Sequence, residues 1–380
     1  MEGKKHKKLR KNRIFSHMML MIGILCFMMS ENAYNSYAKS QISKRKPVGV
    51  MATAVHKRIA VSWEPVTGVV GYEVFEAGDG EETLIYRKVR ETRKCKVVLK
   101  KKKPGGVYHY YIRGYQVTKT GKRIYSKNSK KVVTTVAENG TSTVKNLLQT
   151  ALAPVGSTMY VWGGGWNKAD TAAGTEAKRV GLSPSWRTFA KGKTSSYDYR
   201  NYRYRIHNGL DCSGYIGWCV YNVLNTQDRK KGYVYPASKQ AKKYADFDFG
   251  TYREPGKVKD YRAGDIMSSA THVWMVVGEC ADGSVVLLHA SPSGVQLNGT
   301  TTPSGKVESQ AYRLAVRYMK KYYKSWYQKY PNVSRGTSYL SGYGQMRWNT
   351  SGSKVVLSDP DGYCEMEPEE ILQDLFGEIE

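Results

Sequence analysis

The stretch Leu210-Asp211-Cys212-Ser213-Gly214 is the part of this 380-residue chain around which the rest can be placed. The apolar residues that follow recur at the spacing i, i+3, i+4, i+7 and i+8, which predicts one buried face of a helix. They are Ile216, Cys219, Val220, Val223 and Leu224. Asp211 is a preferred N-cap residue, so we expect the helix to begin at Cys212.

Cys212 is therefore expected at the positive end of a helix dipole, beside backbone N–H groups that lack intrahelical partners. Such surroundings favour the thiolate and lower the pKa of a cysteine, as a nucleophile requires. The alternative is that Cys212 is a small buried hydrophobic residue, since free cysteine is often buried. Both interpretations fit this stretch taken alone.

Two histidines flank a predicted β-hairpin further along the chain. His272 precedes an apolar run that ends at Gly278, Asp282-Gly283 marks a turn, and the returning run 285–290 contains His289. Paired strands would set the two imidazoles opposite each other. A one-residue slip in register would send them to opposite faces of the sheet, and the sequence does not fix the register.

A helix-borne cysteine and two histidines are the parts of a nucleophilic acyl-transfer site. The cysteine would attack, one histidine would take its proton and later protonate the leaving amine, and the other would orient the first. His207 is a rival base, close to the cysteine in sequence. A zinc site is disfavoured, because Cys212 and Cys219 are two helical turns, about 10 Å, apart. We expect neither a metal nor another cofactor.

The first 38 residues have the pattern of a secretory signal peptide. Seven Lys or Arg residues precede a mostly apolar run from Ile14 to Met29, and Ser36-Tyr37-Ala38 is a plausible cleavage site. An uncleaved anchor is the alternative, but the run is shorter than the ~20 residues that a membrane span needs. We expect an exported bacterial protein, secreted or associated with the cell wall, with no stable membrane insertion after cleavage.

The net charge of the whole chain is +28. Residues 1–38 carry seven basic and two acidic residues, so the mature chain would keep +23. Outside the cell such a charge favours anionic wall polymers as partners, whereas export argues against nucleic acid. Five cysteines remain after residue 38. An odd, scattered set argues against a disulfide framework and permits a free reactive thiol.

Residues 48–137 are expected to form an all-β sandwich, because short alternating strands follow one another closely. Val61-Ser62-Trp63-Glu64-Pro65-Val66, Gly71-Tyr72-Glu73-Val74 and Tyr108 with Arg113-Gly114-Tyr115 resemble the motifs of a fibronectin type III domain. The resemblance makes Trp63 the core tryptophan and Tyr108 the corner tyrosine. It implies a spacer or a weak wall-binding module. Residues 138–142 would be a short linker.

Residues 143–300 contain five motifs that resemble, in order, those of the NlpC family of bacterial cell-wall cysteine peptidases. They are Tyr160-Val161-Trp162-Gly163-Gly164, Asp211-Cys212-Ser213-Gly214, Gly264-Asp265-Ile266, His272-Val273 and His289-Ala290-Ser291. The resemblance implies a papain-like α+β fold, in which the helix that carries the nucleophile packs on an antiparallel sheet. It also implies cleavage of peptidoglycan stem peptides through a thioester, commonly after γ-D-glutamate.

Residue by residue, the resemblance makes Cys212 the nucleophile, His272 the base and His289 the orienting residue. It places Tyr160 beside the thiolate, and it assigns Asp211, Ser213 and Trp162 to substrate binding, with Asp211 facing the free amine of the stem peptide. Two segments depart from the family pattern by their length. They are the insertion 166–210 and residues 301–345, which enlarge the far end of the domain. We expect the whole region 301–380 to be a C-terminal extension packed on the catalytic domain.

Two other functions stay open. An amidase or an acyltransferase would use the same nucleophile, and the motifs do not separate these activities from an endopeptidase. In a non-catalytic wall-binding protein, the sandwich domain and the basic charge would bind the wall. The presence of Cys212, His272 and His289 together argues against that last interpretation.

Overall fold

The computed structural model describes residues 42–55, 57–78, 84–103, 106–136, 142–224 and 231–378. The predicted signal peptide 1–38 lies outside these ranges, as do four of the five residues of the predicted linker 138–142. Among the helices within these ranges, none has the length and apolar character that crossing a membrane requires.

The described residues between 48 and 136 form two antiparallel sheets. Their strands are β1 (Met51–Val55), β2 (Arg58–Ser62), β3 (Gly71–Gly78), β4 (Arg87–Thr92), β5 (Lys96–Leu99), β6 (Val107–Val117), β7 (Arg123–Tyr125) and β8 (Val132–Thr135). One sheet has the order β1-β2-β5 and the other the order β4-β3-β6-β7, with β8 also paired to β6. Side chains of both sheets share one apolar core, so the prediction of an all-β sandwich is confirmed.

Two residues singled out in the sequence hold this sandwich together. Trp63 is fully buried and packs edge-on against Tyr72, with ring centroids 5.3 Å apart. Tyr108 lies at the start of β6, and its hydroxyl accepts a hydrogen bond (2.9 Å) from the backbone N–H of Lys103, five residues upstream. A tyrosine that bonds back to the preceding backbone at this corner is a feature of such sandwiches.

The described residues of 142–224 and 231–378 combine helices with a third antiparallel sheet. The helices are α1 (Val144–Leu152), α2 (Pro184–Lys191), α3 (Cys212–Val223), α4 (Gln240–Asp246), α5 (Gln310–Tyr322), α6 (Lys324–Lys329), α7 (Ser338–Ser341) and α8 (Pro368–Leu375). A 3₁₀-helix covers Tyr199–Tyr202. Helix α5 buries one face, which consists of Ala311, Leu314, Ala315, Tyr318 and Met319.

Within the described residues, six strands form the larger sheet, in the order β11-β16-β12-β13-β14-β15. The strands of this region are β9 (Met159–Tyr160), β10 (Gly209–Leu210), β11 (Gly250–Arg253), β12 (Ile266–Ser268), β13 (Val273–Glu279), β14 (Val285–Ser291), β15 (Gly294–Gly299) and β16 (Gly344–Trp348). β9 and β10 form a separate parallel pair. The region 301–380, expected as an extension, thus contributes an interior strand, β16, to the sheet.

Helix α3 packs on one face of this sheet and is buried along almost its whole length. Val273 and Met275 of β13 belong to the core on that face, whereas Trp274 belongs to a smaller apolar cluster on the other face. The insertion 166–210 covers the outer side of α3. There Trp186 of α2 packs edge-on against Trp218, with ring centroids 5.7 Å apart.

Candidate active site

Helix α3 begins at Cys212, as the sequence predicts, and Asp211 is its N-cap. The carboxylate of Asp211 accepts hydrogen bonds from the N–H of Gly214 (2.6 Å), the N–H of Gly163 (3.1 Å) and the hydroxyl of Ser213 (2.9 Å). The side chain is buried, and this desolvation raises the pKa of the carboxyl to about 7. In this structure Asp211 caps the helix and ties it to the loop 161–165.

The loop 161–165 lies against the helix start because β9 pairs with β10. The N–H of Asp211 donates to the carbonyl of Gly164 (2.9 Å). A Cβ atom at Gly164 would lie 2.5 Å from the carbonyl oxygen of Gly209, so this close approach requires glycine. Tyr160 is buried beside the loop. Burial raises the pKa of its hydroxyl, and the nearby thiol of Cys212 adds to the rise.

Ser213 and Trp162, the other predicted substrate-binding residues, differ in exposure. Ser213 is buried, and its hydroxyl donates to Asp211 and accepts from the indole N–H of Trp166 (2.9 Å). Trp162 is 43% exposed and stacks on Tyr199, with ring centroids 6.4 Å apart. The guanidinium carbon of Arg203 also lies 5.4 Å from the centre of the Trp162 ring, so of these two side chains only Trp162 is exposed, and it is flanked by Tyr199 and Arg203. Substrate binding by Tyr160, Asp211, Ser213 and Trp162 stays a prediction.

The hairpin of β13 and β14 brings His272 and His289 into contact. Nε2 of His272 lies 3.1 Å from Nδ1 of His289, and the rings meet edge-on with centroids 5.3 Å apart. The register pairs Met275 with Leu288. Continued by one residue, it sets His289 opposite Trp274, so that His272 lies diagonally across from His289 on the same face. His289 is fully buried, whereas His272 is partly exposed.

The thiol of Cys212 lies at the end of the same hairpin. Burial raises its pKa to about 12 and Asp211 adds to this rise, while the backbone N–H groups of Val273 and Ser213 lower it in part. The contact with Val273 places the sulfur beside the residue that follows His272. The expectation of a lowered thiol pKa is wrong for this structure. It counted the helix N-terminus but not the burial of the sulfur, which is the larger effect.

Tyr339 packs against both imidazoles. Its ring centroid lies 5.9 Å from that of His272 and 6.3 Å from that of His289. Burial is the main cause of the raised pKa of Tyr339, and Cys212 also contributes to it. The structure thus brings His272 and His289 together beside Tyr339, and it places the sulfur of Cys212 next to Val273, the residue that follows His272.

Both histidines are uncharged at neutral pH. Desolvation, followed by the charge of Arg335, lowers the pKa of His272 to about 3. The same two causes, in the same order, hold the pKa of His289 well below its ordinary value. Each imidazole therefore has one donor nitrogen and one acceptor nitrogen.

Three residues of this site, all from the region 301–380, were missed in the sequence. Nη2 of Arg335 lies 3.4 Å from Nε2 of His289 and 3.3 Å from the hydroxyl oxygen of Ser291. Besides Tyr339, Tyr343 belongs to the site; their ring centroids lie 5.2 Å apart. The two tyrosines are four residues apart, a spacing typical of a helix face, and the stretch around Arg335 has no apolar periodicity. Neither pattern indicates a site.

The other candidates lie elsewhere. Nδ1 of His207, the rival base, lies 3.2 Å from a carboxylate oxygen of Glu176 in the insertion. Cys219 of α3 is fully buried in the apolar core. The cysteines within the described ranges are all free. In the same part of the chain, no group of three or more His, Cys, Asp or Glu side chains is placed to hold a metal ion.

Among solved structures, the chain is similar to fibronectin type III domains. The FN5 domain of Drosophila Lar is 21% identical, with a TM-score of 0.21 over 25% of this chain and 97% of that chain. The fibronectin type III domain of the human KIAA0970 protein is 18% identical, with a TM-score of 0.22 over 26% of this chain and 77% of that chain. No family model and no curated protein matches the chain.

Proposed function

We propose that this chain is an exported cysteine endopeptidase of the NlpC type, which hydrolyses peptidoglycan stem peptides at the γ-D-glutamyl–diamino acid bond. The observation that carries the proposal is the 3.1 Å contact between His272 and His289 at the strand end where the thiol of Cys212 lies. A papain-like fold is part of the proposal. The packing of α3, which begins at Cys212, on an antiparallel sheet supports it.

In the proposed reaction, Cys212 is the nucleophile and His272 moves the protons. His272 takes the proton of the thiol as the sulfur attacks the carbonyl carbon of the scissile amide. It gives this proton to the leaving amine as the C–N bond breaks and the thioester forms. Water then attacks the thioester, His272 takes a proton from the water, and the thiol and the carboxylate product are released. His289 orients His272 through the contact between their rings.

The remaining parts of the chain suit a wall enzyme. Residues 1–38 would direct export, and the protein would be secreted or wall-associated. The sandwich domain would be a spacer or a weak binding module. A net charge of +23 after cleavage would attract anionic wall polymers as a second partner beside the stem peptides.

The central test is Cys212→Ala, with Cys219→Ser as the matched control. We expect Cys212→Ala to reduce hydrolysis at least ~10³-fold while the protein stays folded, as nucleophile deletions do in comparable triads. Cys219→Ser changes a buried thiol seven residues along the same helix and should alter stability rather than chemistry. Retained hydrolysis in a folded Cys212→Ala protein would contradict the assignment.

Mass spectrometry of the muropeptide products separates the alternatives. Products that end in D-glutamate, together with peptides that begin at the diamino acid, support the endopeptidase. Cleavage between glycan and L-alanine would indicate an amidase, and a new peptide linkage an acyltransferase. Wall binding without any product would leave the non-catalytic alternative.

Asp211 is proposed to face the free amine of the stem peptide in addition to capping α3. A charge-assisted contact of ~1.5–3 kcal/mol corresponds to about a ten- to hundredfold preference. We therefore expect a free tetrapeptide to be cleaved faster than its N-acetylated form by about that factor. Equal rates on both peptides would leave Asp211 as a helix cap only.

A further inference from the structure

Arg335 places a guanidinium against the buried end of the histidine pair. Its position is fixed by the main chain, because its N–H donates to the carbonyl of Gly299 (2.9 Å) and its carbonyl accepts from the N–H of Thr301 (2.6 Å). From there Nη2 reaches Nε2 of His289 at 3.4 Å and the hydroxyl of Ser291 at 3.3 Å. The arginine therefore lies next to the histidine that is proposed to orient the base.

No acidic residue of the described ranges forms an ion pair with this guanidinium. Its Nε atom is buried without a hydrogen-bond partner in the same ranges. Burial also lowers the pKa of Arg335. A desolvated cation without a counter-charge is unfavourable for folding, so stabilisation of the fold does not account for its presence. Its polar side-chain contacts lead to His289 and to Ser291 on the same strand.

We propose that Arg335 is a positioning residue that holds the histidine pair uncharged and in a single tautomer, and thereby restrains Cys212. The inference rests on the proposed function in taking Cys212 as the nucleophile. A guanidinium can only donate hydrogen bonds, so Nε2 of His289 must accept. The proton of neutral His289 is then on Nδ1, from which it is donated to Nε2 of His272. Neutral His272 consequently carries its own proton on Nδ1.

In this tautomer His272 has no free lone pair for the proton of Cys212. Accepting that proton requires the reverse arrangement, in which Nε2 of His272 donates to His289 and the proton of His289 moves to Nε2. Two donors, from His289 and Arg335, would then face each other. Turnover through His272 therefore requires the guanidinium to withdraw from His289. Charge acts in the same direction, because Arg335 follows desolvation as a cause of the lowered pKa of both histidines.

The other titratable groups described around the histidine pair are uncharged, so Arg335 is its charged neighbour. Tyr339 packs on both imidazoles, Tyr343 packs on Tyr339, and the buried thiol of Cys212 lies beside Val273, the residue that follows His272. Burial raises the pKa of each of these three groups, so they are uncharged at neutral pH.

The first test is the rate at which iodoacetamide alkylates Cys212 at pH 7, followed by mass mapping of its peptide. We expect Arg335→Met to raise this rate about tenfold, since a gain of one pKa unit in His272 changes the population of the ion pair by that factor. Arg335→Lys keeps a charged donor and should alkylate slowly, as the wild type does. A folded Arg335→Met protein with an unchanged or slower rate overturns the inference.

Arg187→Met is the matched control for loss of a desolvated guanidinium. Burial lowers the pKa of Arg187 as well, but its side chain donates to the carbonyl of Gly49, far along the chain from the histidines. We expect this variant to alkylate at the wild-type rate. An equal acceleration in Arg187→Met would mean that loosening of the fold, and not the histidine pair, explains the effect, and would overturn the inference.

The second test needs neither a variant of Arg335 nor a substrate. Nitrogen-15 NMR of histidine-labelled wild-type protein, assigned with His289→Gln, should show His289 protonated on Nδ1 and unprotonated on Nε2. The opposite tautomer overturns the inference even if the protein hydrolyses muropeptides. If the protein shows the expected tautomer and alkylation rates but hydrolyses no muropeptides, the inference is supported and only the proposed function is contradicted.

Discussion

The sandwich and the histidine pair place buried charge in opposite surroundings. In the sandwich, the buried carboxylate of Glu73 accepts hydrogen bonds from Arg113 at 2.9 Å and from Lys88 and Arg123 at 3.1 Å each. At the histidine pair, Arg335 faces neutral imidazoles and no acid among the described residues. A buried charge with partners of opposite sign, such as Glu73, links neighbouring strands. A buried charge without such a partner, such as Arg335, changes the protonation of the groups beside it.

The largest expected effects fall on the histidines. We expect His272→Ala to reduce kcat/KM on a stem peptide about as much as Cys212→Ala, by ~10³-fold or more, because the base is lost. His289→Ala should be milder, because loss of an orienting residue leaves the base in place. His207→Ala is the control, since His207 contacts Glu176. Near-complete loss in His207→Ala with little effect in His272→Ala would reject the hairpin site.

The features of the fold and of the site that depend only on neighbouring residues could be predicted from the sequence. The spacing of Ile216 to Leu224 and the N-cap Asp211 predict where α3 begins, and the alternation around Trp63 predicts a sandwich strand. These signals are local because caps, helix periodicity and strand alternation depend on neighbouring residues.

What could not be predicted depends on contacts between distant segments. The register that joins His272 to His289 is set by pairing across the hairpin, and a shift by one residue would separate them. The thiol of Cys212 has a raised pKa because the fold buries it. Arg335 reaches His289 from 46 positions further along the chain. None of these facts has a signature in the local sequence.

Glu73→Gln tests the compensated charge of the sandwich. We expect a loss of about 2 kcal/mol in the free energy of unfolding, because charge-assisted hydrogen bonds contribute ~1.5–3 kcal/mol. Urea denaturation of the wild type and the variant measures it. Glu91→Gln, which also removes a partner of Arg123 but at a 36% exposed side chain, is the control and should lose less. An equal or larger loss in Glu91→Gln would show that burial of Glu73 is not what matters.

The pH dependence of stability sharpens the same test. Desolvation alone would raise the pKa of Glu73, but hydrogen bonds from Arg113 and Lys88 outweigh it and hold the pKa below the ordinary value of 4.5. The contribution of Glu73 is therefore fully present above pH 4.5 and is lost as the pH falls through the lower folded-state pKa. Glu73→Gln should remove this part of the acid sensitivity. A variant with the full wild-type acid sensitivity would contradict the assignment.

The smallest effect is expected where the two regions meet, at Lys96. This residue of β5 donates to the carbonyls of Val180 and Gly181 in the insertion 166–210. Gly181 has a φ of +65°, and a Cβ atom there would lie 2.4 Å from Cβ of Ala60, so the sandwich and the insertion are in close contact. Burial, followed by the charge of Arg179, lowers the pKa of Lys96 to about 7.

Lys96→Met should therefore mainly change how the free energy of unfolding depends on pH. In the wild type the folded-state pKa of Lys96, about 7, lies below the ordinary value of 10.5. Between these two pH values the unfolded chain binds more protons than the folded chain. The free energy of unfolding therefore rises with pH in this range. We expect denaturation curves from pH 6 to 9 to show this rise in the wild type and in the control Lys94→Met, whose side chain is exposed. In Lys96→Met the rise should be absent, because the group that binds fewer protons in the folded state is gone. A variant that keeps the rise would show that Lys96 is not buried between the two regions in solution, and that the sandwich and the insertion separate there.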